Sequence, residues 1–307
     1  MGHTWDDHMC YNGRDGPSKY NKWTNEDINI VLAKYSFGGS KGGVTACEVK
    51  YILGLSEVRR EGEDTTTLES GHVFYYRQGD SPSHGGVGFL VNKVLIDNVV
   101  EISSVSSRVA YLIIRLTKRY SLKVVQVYAP TSSHSDTEVE IMYDDIYKAL
   151  NHTTKAHFSV IMGDFNAKVG TQSGPEFVLG QHGYGSRNHR GQMLVNFLEM
   201  NSLFLMNSFF KKRPHRKWTW KSPDNITKNE IDFIITDKRY IFRDVSVISR
   251  FNTGSDHRLV RSTLNIDYKL ERIRLMKSSL RHEALTKKLK TSFRCLKSHT
   301  FLSTRRK

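Results

Sequence analysis

The sequence has 307 residues, of which 38% are hydrophobic and 25% are charged, values that are ordinary for a domain able to bury a sizeable core. The net charge of +15 is concentrated in residues 268–307, which hold 13 Lys and Arg against two acids, whereas residues 1–267 carry only +4. No apolar run approaches the ~18 residues of a membrane span, the polar N-terminus excludes a signal peptide, and three widely spaced cysteines exclude a disulfide framework.

The basic C-terminal residues favour a nucleic acid or another anionic surface as partner. The alternative is a solvated, partly helical segment that only aids solubility. Cys10, Cys47 and Cys295 lack metal-ligand spacing and are typical of reduced thiols in an intracellular protein. We therefore expect neither a membrane nor a small-molecule cofactor as a partner, and the sequence does not give the oligomeric state.

Three segments are predicted along the chain. Residues 1–44 are polar, rich in Gly, Asn and Asp, and show no sustained periodicity, which predicts a poorly ordered N-terminal segment. Residues 45–267 carry the strand and helix patterns of a single domain. Residues 268–307 form the basic C-terminal tail.

The domain begins with a series of predicted strands. Val49–Leu55 is a buried strand that leads to Glu57, and "HVFYYRQ" and "GVGFLVNKV" are two more, separated by the turn-forming "GDSPSHGG". "RVAYLIIRL" and "LKVVQVYAP" are predicted to form a hairpin through "TKRYS".

Two helices are predicted among the later strands. Residues 136–150 place Val139, Met142, Ile146 and Leu150 at helical spacing, with Asp136 as a candidate N-cap. The other helix is "RGQMLVNFLEMN", and the remaining strands are "SVIMGD", "LFLMNSFF", "KWTWKS", "EIDFIITD", "DVSVIS" and "HRLVRSTLNI". Many strands and few helices favour two packed, mostly antiparallel sheets with helices outside, a fold of the α/β (α+β) class.

Several polar residues stand at or near the ends of these strands. They are Glu57, Tyr128, Asp164, Asn166, Asp232, Asp256 and His257. If the strand ends converge, they form an acidic pocket with a histidine, whose hard oxygen ligands suit Mg²⁺ or Mn²⁺. Such a pocket is equipped to hydrolyse a phosphodiester. The alternatives are solvated acids at strand ends and, for Asp164 and Asn166, a plain turn.

The motifs "LGLSEVRR", "VVQVYAPTS", "IMGDFNAKVG", "NEIDFIITD" and "GSDHRLVRSTL" together resemble the endonuclease/exonuclease/phosphatase superfamily. Within it, the sequence is most similar to endonucleases of non-LTR (LINE, RTE-like) retrotransposons and to the craniofacial development protein 2-like host proteins. The resemblance runs from about Ala46 to Asn265. It implies a four-layer α/β sandwich, with the site at one edge of the paired sheets.

The resemblance also implies roles for the polar residues. Glu57 corresponds to the principal metal ligand, and Asp256 to the remaining acid near the metal. Asp164 corresponds to the residue that orients or deprotonates the attacking water. Asn166 corresponds to the amide that holds the water and a phosphate oxygen.

The phosphate itself is implied to meet three further side chains. Tyr128 corresponds to the phenol that braces it, and His257 to the imidazole set against the scissile phosphate. Asp232 corresponds to the carboxylate that orients this imidazole. Arg108 corresponds to a position near the DNA backbone.

One family feature is absent from the sequence. The family begins with a strand resembling "GTWNVRT", whose asparagine is a metal ligand, but this chain has "GPSKYNKWTNEDINI" there. Asn21 and Asn25 do not follow an apolar strand, and Arg60 stands where the family usually has tryptophan. The first strand is therefore predicted to be missing or replaced, with Asp27–Tyr35 as a possible substitute because Ile28, Ile30 and Leu32 alternate.

A basic segment, residues 211–220, reads "KKRPHRKWTW". Its cations are predicted to contact DNA phosphates, and they are Lys211, Lys212, Arg213, Arg216 and Lys217. Trp218 and Trp220 stand on either side of Thr219 and so share one face of the predicted strand, and packing in the core is the favoured interpretation for both.

Three functions are consistent with the sequence. The favoured one is a Mg²⁺-dependent DNA endonuclease of retrotransposon origin, for which residence in the nucleus is expected. The second is a catalytically impaired, nucleic-acid-binding remnant of that domain, and the third is a phosphatase acting on lipid or nucleotide phosphates. The near-neutral domain and the basic segment 211–220 disfavour the third.

Overall fold

A computed structural model describes residues 28–34, 52–81, 84–151, 156–249 and 254–277. The described residues fall into two compact units, which divide after Asn265. Throughout these ranges, we find no helix with the length and apolar character required to traverse a bilayer.

The first unit contains a seven-stranded sheet with strand order β14-β15-β1-β2-β5-β4-β3. Its strands are β1 (Ile28–Lys34), β2 (Ile52–Ser56), β3 (Glu63–Thr67), β4 (Val73–Arg77), β5 (Val87–Val91), β14 (Phe242–Ile248) and β15 (Leu259–Leu264). All neighbours are antiparallel except β1 and β2. The candidate substitute for the family's first strand is therefore a strand, and it lies inside the sheet between β15 and β2.

A six-stranded sheet has the order β10-β13-β9-β8-β7-β6. Its strands are β6 (Val99–Ser104), β7 (Val109–Arg115), β8 (Ser121–Tyr128), β9 (Phe158–Asp164), β10 (Phe204–Leu205) and β13 (Asp232–Thr236). Only β8 and β9 are parallel. A short ribbon pairs β11 (Trp220–Lys221) with β12 (Lys228–Asn229).

Two α-helices among the described residues of this unit pack on the six-stranded sheet. α1 (Asp136–Asn151) and α2 (His189–Met200) bury their apolar faces in one core with the side chains of β7, β8, β9 and β13. The rings of Tyr143 and Phe197 stack with their centroids 4.6 Å apart and so join the two helices. On the opposite face of this sheet, β7, β8 and β9 contact β2 and β5 of the seven-stranded sheet.

The predicted α/β sandwich of two mostly antiparallel sheets is therefore confirmed. The hairpin of β7 and β8 is also confirmed. β3 and β6 were not predicted. The predicted strand "LFLMNSFF" is limited to β10, because Met206–Ser208 forms a 3-10 turn.

The N-cap prediction for α1 was wrong by one residue. Asp136 is already the first helical residue, and Ser135 caps the helix. The backbone N–H of Glu138 donates to Ser135 Oγ at 3.3 Å, and the Ser135 N–H donates to the Glu138 carboxylate at 2.8 Å. This reciprocal pair is a capping box.

In the second unit, residues 268–277 are helical. Asp267 caps this helix, because its Oδ1 accepts hydrogen bonds from the backbone N–H groups of Lys269 and Leu270. The sequence-based limits 1–44, 45–267 and 268–307 stay predictions.

Candidate active site

In the six-stranded sheet, β8 and β9 end at the same edge at which β13 begins. In the parallel pair of β8 and β9, Tyr128 lies opposite Asp164. In the antiparallel pair of β9 and β13, Asp164 lies opposite Asp232. The sheet register therefore sets a phenol and two carboxylates side by side, although 36 or more residues separate them in sequence.

His257 joins the two carboxylates. Its Nδ1 lies 2.8 Å from Asp232 Oδ2, and its Nε2 lies 3.8 Å from Asp164 Oδ2. All three side chains are at most 3% exposed. The bond to Asp232 fixes the ring and leaves Nε2 as the nitrogen on the Asp164 side.

Asp164 and Asn166 form a tight turn after β9. The Asn166 backbone N–H donates to Asp164 Oδ1 at 3.0 Å, and Asn166 Nδ2 donates to the Ala129 carbonyl at 2.8 Å. Asn166 has a φ of +47°, in the left-handed region that asparagine tolerates better than most residues. The turn therefore fixes the directions of both polar side chains.

Glu57 reaches this edge from the end of β2 in the other sheet. Its Oε1 accepts a hydrogen bond from the Tyr128 hydroxyl at 2.8 Å, and its Oε2 is 2.9 Å from Arg59 Nη2. Burial and the charge of Glu57 raise the pKa of the Tyr128 phenol, so this hydroxyl stays protonated and acts as a donor. Glu57 also has a positive φ, +57°, a conformation that concentrates at functional sites.

Asp256 is exposed and lies beside His257 in sequence. Its Oδ2 accepts a hydrogen bond from Trp220 Nε1 at 2.8 Å, and Trp220 forms an isolated bridge with His257. The ribbon of β11 and β12 is thereby attached to the turn that carries the imidazole.

The donor set fits the divalent cation that the resemblance implies. Asp164, Asp232 and His257 each offer a ligand atom, and these atoms lie within 4.8 Å of one another. Glu57 adds a further carboxylate through Tyr128. Carboxylate oxygens suit Mg²⁺ or Mn²⁺. Asn21 and Asn25 lie outside the described residues. Asn29 lies near the start of β1, whereas it is the last residue of β1, Lys34, that pairs with Ser56 beside Glu57.

The predicted DNA-binding residues differ in exposure. Lys211, Arg213 and Arg216 are exposed, and Lys212 is partly buried, with its Nζ 2.6 Å from Asp244 Oδ1. Lys217 is buried and directed inward, so it does not share a surface with the others.

Arg108 lies close to the site but has protein partners. Its guanidinium is paired with Asp80 and lies 3.3 Å from His134 Nε2. Its carbonyl accepts a hydrogen bond from the Tyr128 backbone N–H at 2.9 Å.

Three residues that the sequence did not single out also support the site: Arg59, Asn207 and Thr219. Arg59 pairs with Glu57, whereas Asn207 and Thr219 bond to the backbone at the start of β13. Asn207 carries a weak sequence signal, since it is a lone amide within the apolar "LFLMNSFF". Thr219 carries none, because Trp218 and Trp220 dominate its surroundings.

The part of the chain that contains most of these residues is similar to known proteins. A family model described as endonuclease-reverse transcriptase matches residues 122–261. The chain is also similar to craniofacial development protein 2 of Tragulus javanicus, with 33% identity over 221 residues, and to that of Bos taurus, with 33% over 222 residues. These matches cover 71% of this chain, but the chain spans only 38% and 37% of the two relatives.

Solved structures share the fold at low sequence identity. One is the endonuclease domain of TRAS1, a telomere-specific non-LTR retrotransposon, with a TM-score of 0.52 and 12% identity over 78% of this chain and 99% of that one. Another is an endonuclease/exonuclease/phosphatase family protein from Leptotrichia buccalis, with a TM-score of 0.55 and 13% identity over 78% and 100%. These matches confirm the expected fold.

Proposed function

We propose that this chain is a Mg²⁺-dependent endonuclease that hydrolyses phosphodiester bonds in DNA, a function supported by its match to the endonuclease-reverse transcriptase family model and by its similarity to craniofacial development protein 2. Mn²⁺ is the alternative ion. The observation that carries the proposal is the arrangement of Asp164, His257 and Asp232 beside Tyr128, whose hydroxyl bonds to Glu57 from the other sheet.

In the proposed hydrolysis, Asp164 and His257 have different roles. Asp164 takes the proton of the attacking water, and the Asn166 turn keeps its carboxylate in place. His257, oriented by Asp232, presents Nε2 to a phosphoryl oxygen, and its charge in the protonated form offsets the negative charge that develops there.

The neutral Tyr128 hydroxyl, which donates a hydrogen bond to Glu57, is the phenol proposed to brace the phosphate. When bound, a divalent cation at the carboxylates supplies Lewis-acid stabilisation of the phosphoryl group. Glu57 and Asp256 are the residues proposed to hold it.

The exposed cations of segment 211–217 would supply sequence-independent contacts to the DNA backbone. These are Lys211, Arg213 and Arg216. We further propose an origin in a non-LTR retrotransposon, consistent with the similarity to craniofacial development protein 2 and the TRAS1 fold. Residence in the nucleus follows from the proposed substrate.

A nicking assay on supercoiled plasmid tests the proposal. Asp164→Ala and His257→Ala should each lower the Mg²⁺-dependent rate by about 10²–10⁴-fold, because each removes a proton-transfer or charge-stabilising group. Asp144→Ala removes an exposed carboxylate on α1 and should leave the rate unchanged. Equal rates for all four proteins would overturn the assignment.

The nucleic-acid-binding remnant is a second candidate, favoured by the ion pair between Glu57 and Arg59, which engages the proposed metal ligand. Retardation of DNA that persists in EDTA, without any nicking in Mg²⁺ or Mn²⁺, would establish the remnant.

A further inference from the structure

We propose that Lys217 and Asn207 are positioning residues that hold Asp232, and through it His257, in the geometry needed for hydrolysis. The proposal rests on the endonuclease function given above. It reassigns Lys217, which the sequence pattern grouped with the DNA-binding cations, to a role inside the protein.

Asn207 acts as an extension of the six-stranded sheet. β10 pairs with β13 only through Phe204 and Leu205. Beyond that point, Asn207 Oδ1 accepts a hydrogen bond from the Ile234 N–H at 2.9 Å, and its Nδ2 donates to the Asp232 carbonyl at 3.0 Å. The side-chain amide therefore takes the place of a neighbouring strand beside Asp232.

Lys217 and Glu230 fix Asn207 in turn. Lys217 Nζ donates to the Asn207 backbone carbonyl and lies 3.7 Å from Glu230 Oε1, which is 3.4 Å from Asn207 Nδ2. The Lys217 and Glu230 side chains are only 6% and 4% exposed. Burial raises the pKa of Glu230 to about 7, while Lys217 and Asn207 oppose that shift.

A buried pair of this kind rarely adds stability over an apolar pair, but removal of one partner leaves an uncompensated charge. The side chains of Lys217, Glu230 and Asn207 therefore hold one arrangement, in which Asn207 contacts β13.

Thr219 holds the backbone N–H of Asp232, on the other side from the carbonyl that Asn207 contacts. Its Oγ1 accepts hydrogen bonds from the N–H groups of Ile231 at 3.0 Å and Asp232 at 3.1 Å. Its carbonyl accepts a hydrogen bond from the N–H of Arg258, next to His257. Lys217 and Thr219 are both buried. The backbone of Asp232 is thus held on both sides, which sets its 2.8 Å bond to His257.

Kinetics of Lys217→Met distinguish positioning from DNA contact. We expect kcat for plasmid nicking to fall about 10- to 100-fold, as for a misplaced catalytic group, with KM and the salt dependence of DNA binding unchanged. Lys211→Met should show the opposite pattern, a raised KM and a salt slope lower by about one. Lys118→Met, in the exposed β7–β8 turn, should change neither.

Amide hydrogen exchange supplies a readout that does not need activity. In free protein, exchange of residues 230–236 should be at least tenfold faster in Lys217→Met than in wild type, and unchanged in Lys211→Met. If Lys217→Met does not fold, Lys217→Met/Glu230→Gln removes both charges and should fold with the same faster exchange.

The two failures are separable. If the wild-type protein does not nick DNA but Lys217→Met still shows faster exchange of residues 230–236, the proposed function is wrong and the positioning role stands. Unchanged exchange, or a raised KM with unchanged kcat and a lower salt slope, overturns the positioning role.

Discussion

Tyr128 connects the two sheets at the level of single residues. Its backbone pairs with Asp164 in the six-stranded sheet, and its hydroxyl donates to Glu57 from the seven-stranded sheet. Removal of that hydroxyl leaves both strands in place but frees the Glu57 carboxylate from one of its partners.

We expect Tyr128→Phe to lower kcat for DNA nicking about tenfold or more, because the Glu57 carboxylate loses the hydroxyl that holds it at the site. Tyr147→Phe is the matched control, since Tyr147 is 54% exposed on α1. Steady-state nicking kinetics check the comparison. Equal kcat values for the two variants would contradict a role for the Tyr128 hydroxyl.

Residue identity and strand-end position predicted much of the candidate site. Asp164 and Asp232 each follow or begin an apolar strand, and a sheet register can bring such positions together. Burial was harder to predict: Lys217 belongs to a run of cations, and only its contacts with Asn207 and Glu230 in the folded chain show that its side chain is directed inward. Periodicity within a short segment does not reveal such a long-range partner.

At the scale of elements, β8 and β9 approach each other closely at the site. A Cβ added to Gly163 would lie 2.1 Å from the Val127 carbonyl oxygen, which real contacts do not allow. Gly163 precedes Asp164, so its lack of a side chain permits the pairing that sets Asp164 beside Tyr128.

Gly163→Ala should therefore destabilise the domain by about 1–3 kcal/mol, since strands must separate to admit the methyl group. Gly174→Ala is the control, because a Cβ there meets nothing within 4 Å. Urea unfolding followed by circular dichroism measures both. A Gly163→Ala variant as stable as Gly174→Ala would show that β8 and β9 adjust without cost.

Apolar strands were predicted well, and polar ones were not. β3, with the sequence EDTTT, is exposed at every position, so no alternation of apolar residues marks it. Its partner β4 supplies the pairing that makes it a strand. The boundary of α1 shifted by one residue because Ser135 and Glu138 form a reciprocal pair, a signal stronger than the single carboxylate of Asp136.

For the whole molecule, the net charge of +15 predicts DNA binding that weakens steeply with salt. A Lys211→Gln/Arg213→Gln/Arg216→Gln variant should lower the slope of log K against log salt by roughly 2 to 3, if each cation meets one phosphate. Fluorescence anisotropy with duplex DNA measures the slope, and Lys118→Gln is the control. An unchanged slope would place the DNA elsewhere.

The position of β1 has a consequence for biosynthesis. β1 spans residues 28–34, but one of its neighbours, β15, spans residues 259–264, so the ribosome must complete more than 220 intervening residues before that edge is paired. Until then, the edge of β1 that pairs with β15 exposes unpaired backbone N–H and C=O groups, with which another chain can pair. Nascent polypeptides that stop short of β15 should therefore depend on chaperones and aggregate when these are scarce.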